Sequence, residues 1–185
     1  MKGQEDSEML VIRAQAGDRE ALSRVLEWLQ PGLRRYLRAI AGTTASDDLA
    51  QDTLIVVYQK LEWLEDPSAF RAWAYKIAHR LALKELRRQS RFEHLDEDWA
   101  MQTNKSSRNL HETFNWGIDL EAAIVNLPTA TRAVLTLRYG ADLAIAEIAS
   151  ALEIPAGTVK SRLAYGLNSL RKTFRRSDGS RRSED

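Results

Sequence analysis

Cysteine is absent from the 185 residues. That excludes a disulfide framework, a thiol nucleophile and a cysteine-ligated zinc, and it agrees with a reducing, cytoplasmic setting. Proline is scarce, at four residues, and no stretch sustains the period-two alternation of a half-buried strand. No apolar run approaches the roughly 18 residues of a membrane span. The opening segment MKGQEDSEML is acidic and lacks the apolar stretch of a secretory signal, so the chain reads as soluble and unexported. There is no Gly-rich phosphate loop, no metal-ligand pair on a helix and no nucleophile elbow. With no candidate catalytic residue, the chain reads as a non-enzyme that needs no cofactor.

What is present is apolar residues at helical spacing and charge that is segregated. The composition is 44% apolar with a net charge of +1, which fits folded protein of one ordinary domain or two small ones. The net charge hides two basic blocks. Phe70 to Arg91 holds seven basic residues against one acid, and Ile154 to Asp185 holds eight against three. Between them, Phe92 to Asp119 has six acids against two basic residues. Two basic blocks around an acidic one suggest two surfaces that face nucleic acid.

The periodicity predicts an all-α chain. A first helix runs from about Ser7, a plausible cap, to Ala16, where Gly17 stops it. Asp18 starts a second helix that carries Ala21, Leu22, Val25, Leu26 and Leu29 and stops before Pro31, and a third segment covers Leu33 to Ile40. Ser46 caps a long helix with a core stripe at Ala50, Leu54, Val57, Leu61 and Leu64. Pro67 breaks the chain and Ser68 caps the next helix, in which Phe70, Ala74, Ile77 and Leu81 face inward. On another side Lys76, Arg80, Lys84 and Arg87 line up. Residues 1–91 thus form one helical domain.

Periodicity fades from Ser90 to Trp116, so residues 92–116 read as a linker. A second small helical domain covers 117–176, and 177–185 is a charged tail. In this second domain Thr129 caps a helix running through Ala133, Val134, Leu137 and Tyr139 to Gly140. The stretch IAEIASALEIPAGTVKSRLAYGL then gives a helix, a turn that Pro155 and Gly157 redirect, and a second helix with Val159, Leu163, Leu167, Leu170 and Phe174 on its apolar side. A DNA-reading helix-turn-helix has this form, because its second helix must put its N-terminal residues into the major groove. Thr158, Lys160, Ser161, Arg162 and Tyr165 stand at that end. An ordinary antiparallel helix pair is the bland alternative.

The basic helix offers Lys and Arg for phosphates and Phe70, Trp73 and Tyr75 as aromatics. A solvated face over a packed core is the competing account, favoured outright for Phe70. On the long helix Asp48, Gln51, Asp52, Ile55 and Gln59 mix acid with exposed apolar surface, which suits docking of a protein helix. Asp48 and Asp52 alone are a poor metal site, since His79, His94 and His111 are not spaced to join them.

Taken together, AGDREAL, DDLAQDTLIVVYQKL, FRAWAYKIAHRLALKELRR and the LPTATRAVLTLRYG…KSRLAYGLNSLR stretch resemble a bacterial RNA polymerase sigma factor. The type is the extracytoplasmic-function (ECF) class of the sigma-70 family, which has only regions two and four. The resemblance implies core RNA polymerase as partner, through its β′ coiled-coil and β flap, and promoter DNA. It assigns Asp48, Gln51, Asp52, Ile55 and Gln59 to the polymerase. It assigns Ser68, Trp73, Lys76, Arg80, Lys84, Arg87 and Arg88, with the Glu65 to Ala69 loop, to the opened minus-ten element, and Thr158, Lys160, Ser161, Arg162 and Tyr165 to the minus-thirty-five element. An anti-sigma partner is common in that class, although no residue marks one here. Arg80 and Lys84 stand where the family usually has Asn and Asp, and Tyr165 where Arg is common. Ala144 stands where Ser usually caps, at a cost of about 1 kcal/mol unless Asp142 substitutes. A stand-alone helix-turn-helix regulator is the other reading.

Overall fold

A computed structural model describes residues 2–96, 120 and 123–181, with side-chain surroundings for 7–90, 120 and 123–174. Every regular element among the described residues is helical. Helix α1 spans Lys2–Gln15 and α2 spans Arg19–Ala41. Between them Gly17 has φ 91°, a left-handed conformation that glycine adopts without Cβ strain. Asp18 caps α2, its carboxylate accepting from the Glu20 and Ala21 amides at 3.0 Å each.

Pro31 does not end α2, as the sequence had suggested; it lies inside the helix. A proline there costs about 3 kcal/mol. Leu29, Leu33, Tyr36 and Leu37 on either side of it are all buried, and each such burial is worth about 1.5–3 kcal/mol. Packing therefore keeps the helix whole. The next start also differs from expectation. Helix α3, Thr43–Lys60, leaves Gly42 without a side-chain cap, and Ser46 is buried in the first turn, donating to the Thr43 carbonyl at 2.9 Å.

Two short 3₁₀ turns, Leu61–Trp63 and Pro67–Ala69, lead into α4, Phe70–Asp96. The cap at this entry is Asp66, not Ser68. Its carboxylate accepts from the Ser68 amide at 2.9 Å and from the Ser68 hydroxyl at 2.6 Å. Helix α4 also continues past Ser90, so helix occupies the start of the expected linker; most of the remainder, with the acidic run after Asp96, lies outside the described residues.

Helices α2 and α4 run side by side in the same direction. Trp28 stacks near Phe70, with centroids 6.4 Å apart, and Gly32 meets Tyr75. Further along, the Tyr36 hydroxyl is 2.7 Å from His79 Nδ1. A Cβ on Gly32 would come within 2.2 Å of the Tyr75 hydroxyl oxygen, so this glycine is required by close approach. Tyr36 is fully buried and meets Tyr75 edge-on at 5.7 Å.

In the second half, α5 (Thr129–Leu135) runs into a π-helical segment, Thr136–Gly140, followed by α6 (Ile145–Leu152) and α7 (Ala156–Arg181). Pro128 precedes α5 and Thr129 makes no cap bond; its hydroxyl accepts from Arg132 at 3.0 Å instead. Tyr139 is exposed, contrary to its expected place on the apolar side. The two halves pack on each other. Helix α4 lies against α6, while α2 lies against α5 and the π segment, and the buried residues of both halves form one cluster.

Candidate nucleic-acid and partner interfaces

The α6–α7 unit is a helix-turn-helix whose corner is Glu153, at φ 55°, ψ 43°. A non-glycine residue in the left-handed region is uncommon and mildly strained. Gly157, expected to redirect the chain, has no positive φ; Glu153 makes the bend. Ala144 donates its amide to the Glu147 carboxylate at 2.7 Å but has no side-chain oxygen to return a bond. Asp142 does not substitute for it, and its carboxylate instead sits 3.9 Å from Arg138.

Val159 is fully buried and Leu163, Leu167, Leu170 and Phe174 are half-buried, which seats α7 by the expected stripe. Gly166 lets α7 approach α5 closely, since a Cβ there would lie 2.7 Å from Leu135. On the other side Lys160, Ser161 and Tyr165 are exposed, with Thr158 and Arg162 half-exposed. The Ser161 hydroxyl donates to the Thr158 carbonyl at 3.0 Å. The five candidate readers therefore share the outer side of the first turns of α7.

On α4, Arg80, Lys84, Arg87 and Arg88 are exposed and Lys76 is half-exposed. Arg88 is engaged by Glu85 at 2.8 Å. Trp73 packs beside Phe70, centroids 6.2 Å apart, at the edge of the core, and Tyr75 is buried. The exposed aromatics nearby are Trp28 and Trp63, at 47% and 68% exposure. Sequence reasoning passed over both, because neither lies on the basic helix. Ser68 borders a shallow cleft with Pro67, Phe70, Trp28, Arg71 and Glu8, and the Arg71 guanidinium stands 5.5 Å over the Trp28 ring.

On α3, Asp48, Gln51, Asp52, Ile55 and Gln59 are all exposed on one side. Tyr58 joins them at 59% exposure. It too was missed, although its spacing of three from Ile55 was the available signal. Among the described residues no group of three or more metal-ligating side chains occurs, and no helix is long and apolar enough to cross a membrane.

The α4 and α7 surfaces are linked through Glu153. Its carboxylate accepts from Lys76 Nζ at 2.9 Å and from Arg80 Nη2 at 3.0 Å. The Lys76 and Arg80 donors hold the Glu153 carboxyl below its ordinary range. Arg71 adds a bond to the Ala141 carbonyl. Behind this contact, burial pushes the His79 imidazole below its usual value; Glu153 opposes that shift and Arg162 adds to it. Burial also pushes the Tyr75 phenol up to about 12.

Comparison with known proteins gives two family matches, sigma-70 region 2 over residues 26–92 and sigma-70 region 4 over residues 123–172. The ECF RNA polymerase sigma factor RpoE of Cereibacter sphaeroides is 30% identical over 159 residues, covering 84% of this chain and 87% of that protein. SigW of Bacillus subtilis, also an ECF RNA polymerase sigma factor, is 26% identical over 177 residues, covering 89% and 95%. Among solved structures, the sigma factor RpoE of Bartonella quintana, in complex with the anti-sigma factor NepR, superposes with a TM-score of 0.68. Its sequence identity is 22%, and the match covers 83% of this chain and 96% of that one.

Proposed function

This chain belongs to the ECF RNA polymerase sigma factors, and from that premise we propose how its surfaces divide the work of promoter recognition. A sigma factor directs transcription by RNA polymerase and is itself no enzyme. The α3 side with Asp48, Gln51, Asp52, Ile55 and Gln59, extended by Tyr58, docks on the core polymerase. The outer side of α7 reads the minus-thirty-five element as duplex. Helix α4 and the Ser68 cleft hold the opened minus-ten strand.

One observation carries the reading of α7: its apolar stripe is seated while Lys160, Ser161 and Tyr165 remain exposed at its N-terminal end. That is the end a recognition helix presents to the major groove. Lys160 and Arg162 suit phosphates and guanine edges, and Ser161 and Thr158 suit either. For the minus-ten element, opening duplex costs roughly 1.4 kcal/mol per step in stacking. A surface that pairs with phosphates and accepts an unstacked base returns part of that cost.

The Glu153 contact gives this division a consequence. Lys76 and Arg80 cannot hold a carboxylate and a DNA phosphate at once, so the two halves separate before α4 takes the strand. Each half alone is a weak binder. Polymerase fixes their spacing, and the second contact then becomes intramolecular. An anti-sigma partner is part of the proposal, supported by the complex in which the Bartonella quintana structural neighbour was solved.

The discriminating experiment compares binding of a promoter duplex by the protein alone and with core polymerase. A sigma factor gives a specific, heparin-resistant complex only with polymerase. A specific shift by the free protein, unchanged by polymerase, would instead indicate a stand-alone helix-turn-helix regulator.

A further inference from the structure

Helix α2 carries no acid after Glu27, and Trp28, Arg35 and Arg38 follow at spacings of seven and three. They share one side of the helix over about 15 Å. All three are exposed. Among the described residues Arg35 and Arg38 enter no ion pair, whereas Arg34, on another side, lies 3.4 Å from Asp47. Arg71 of α4 joins this side by standing over Trp28. The charges of Arg71 and Arg35 both act on the Tyr75 hydroxyl, which places them around the same end of that ring. The stripe therefore begins at the Ser68 cleft and runs along α2, away from the α4 cations that Glu153 engages.

We propose that this side of α2 is a second track for single-stranded DNA, in which Arg35 and Arg38 meet phosphates while Trp28 and the Arg71 guanidinium receive a base. It rests on the promoter reading above, since it continues the strand that the Ser68 cleft starts. An open indole beside aligned cations fits an unpaired strand, because every base offers a ring face and the backbone offers a charge per nucleotide. Duplex DNA has no free ring face to give. The two arginines remain unpaired in the closed arrangement, so this track is available before α4 is released from Glu153.

The test uses the full chain assembled with core polymerase and a fluorescein-labelled 20-nucleotide oligothymidylate, with anisotropy followed against KCl concentration. Arg35→Gln/Arg38→Gln should weaken binding and lower the slope of log affinity against log salt by about 1.4, or about 0.7 per lost phosphate contact. Trp28→Ala should weaken binding about tenfold with the slope unchanged. The conservative pair Arg35→Lys/Arg38→Lys should restore the slope, which separates a charge effect from a folding defect. Lys84→Gln/Arg87→Gln on α4 serves as the comparison. If only the α4 pair weakens binding, the α2 track is wrong and the promoter reading stands; if neither pair does, both fall. Loss of polymerase assembly in the α2 pair, with oligothymidylate affinity unchanged, would assign the stripe to protein docking and overturn the proposal.

Discussion

Arg80 of α4 and Glu153 at the corner of the helix-turn-helix are 73 residues apart in sequence and form a two-pronged ion pair. Nη2 lies 3.0 Å from both carboxylate oxygens and Nε lies 3.3 Å from one. Glu153 reaches Arg80 because it occupies a left-handed turn that points it out of the α6–α7 unit. The same pair gives each half of the chain a way to mask the other.

Charge reversal at that corner, Glu153→Lys, should open the closed form. Both partners are largely exposed and screened by solvent, so the effect is modest. The affinity of the free protein for single-stranded DNA should rise about two- to fivefold, with a larger distance between fluorophores placed on α2 and α7. An unchanged distance would show that apolar packing alone holds the halves together.

His79 makes stability depend on pH. The Tyr36 hydroxyl donates to Nδ1 only while that nitrogen is unprotonated, and burial lowers the imidazole below its ordinary value of 6.5. In the window between the ordinary and the lowered value the unfolded chain binds the proton and the folded chain does not. Stability therefore falls as pH drops through that window, by at most about 1.4 kcal/mol per pH unit. Thermal melts from pH 7.5 to 5 should show the decline, and His79→Phe should flatten it between pH 6.5 and 5.

Gly32→Ala should destabilise the chain even though alanine favours helix. The new Cβ would meet the Tyr75 hydroxyl oxygen at 2.2 Å, while the next atom, ring Cζ, is 3.6 Å away. Overpacking of this kind costs typically about 1–3 kcal/mol. Tyr75→Phe removes the clashing atom, so the double variant should recover most of the loss in a urea melt.

On α3, Ile55→Asp should abolish co-purification with core polymerase while leaving the circular dichroism melt unchanged, because Ile55 is 45% exposed. Tyr58→Ala should weaken the same interaction in a pull-down titration. If both variants assemble normally, the docking side is elsewhere.

The local rules were legible where one residue type has one use. Asp18 before an apolar run was readable as a cap, and Val159, Leu163 and Leu167 as a seated stripe. Pro31 misled because its local preference was outweighed by buried neighbours in α2, which single-helix reasoning does not weigh. Ser46 and Ser68 misled for a related reason: a hydroxyl can cap a helix or bond within its first turn, and here Gly42 and Asp66 decide which. The candidate surfaces on α3 and α7 could be placed from helical spacing alone. Trp28 and Glu153 could not, since what matters about each is a partner in a distant helix. The contact of Glu153 with Lys76 and Arg80 joins segments whose charges were visible but whose proximity was not.

The most direct measurement of the central claim is transcription from a genomic fragment library by core polymerase, with and without this protein. Transcripts that depend on the protein should share two upstream elements at fixed spacing, and Lys160→Ala with Arg162→Ala should reduce them by weakening the upstream element while polymerase binding is retained. Absence of protein-dependent transcripts from a polymerase that demonstrably binds the chain would contradict the account.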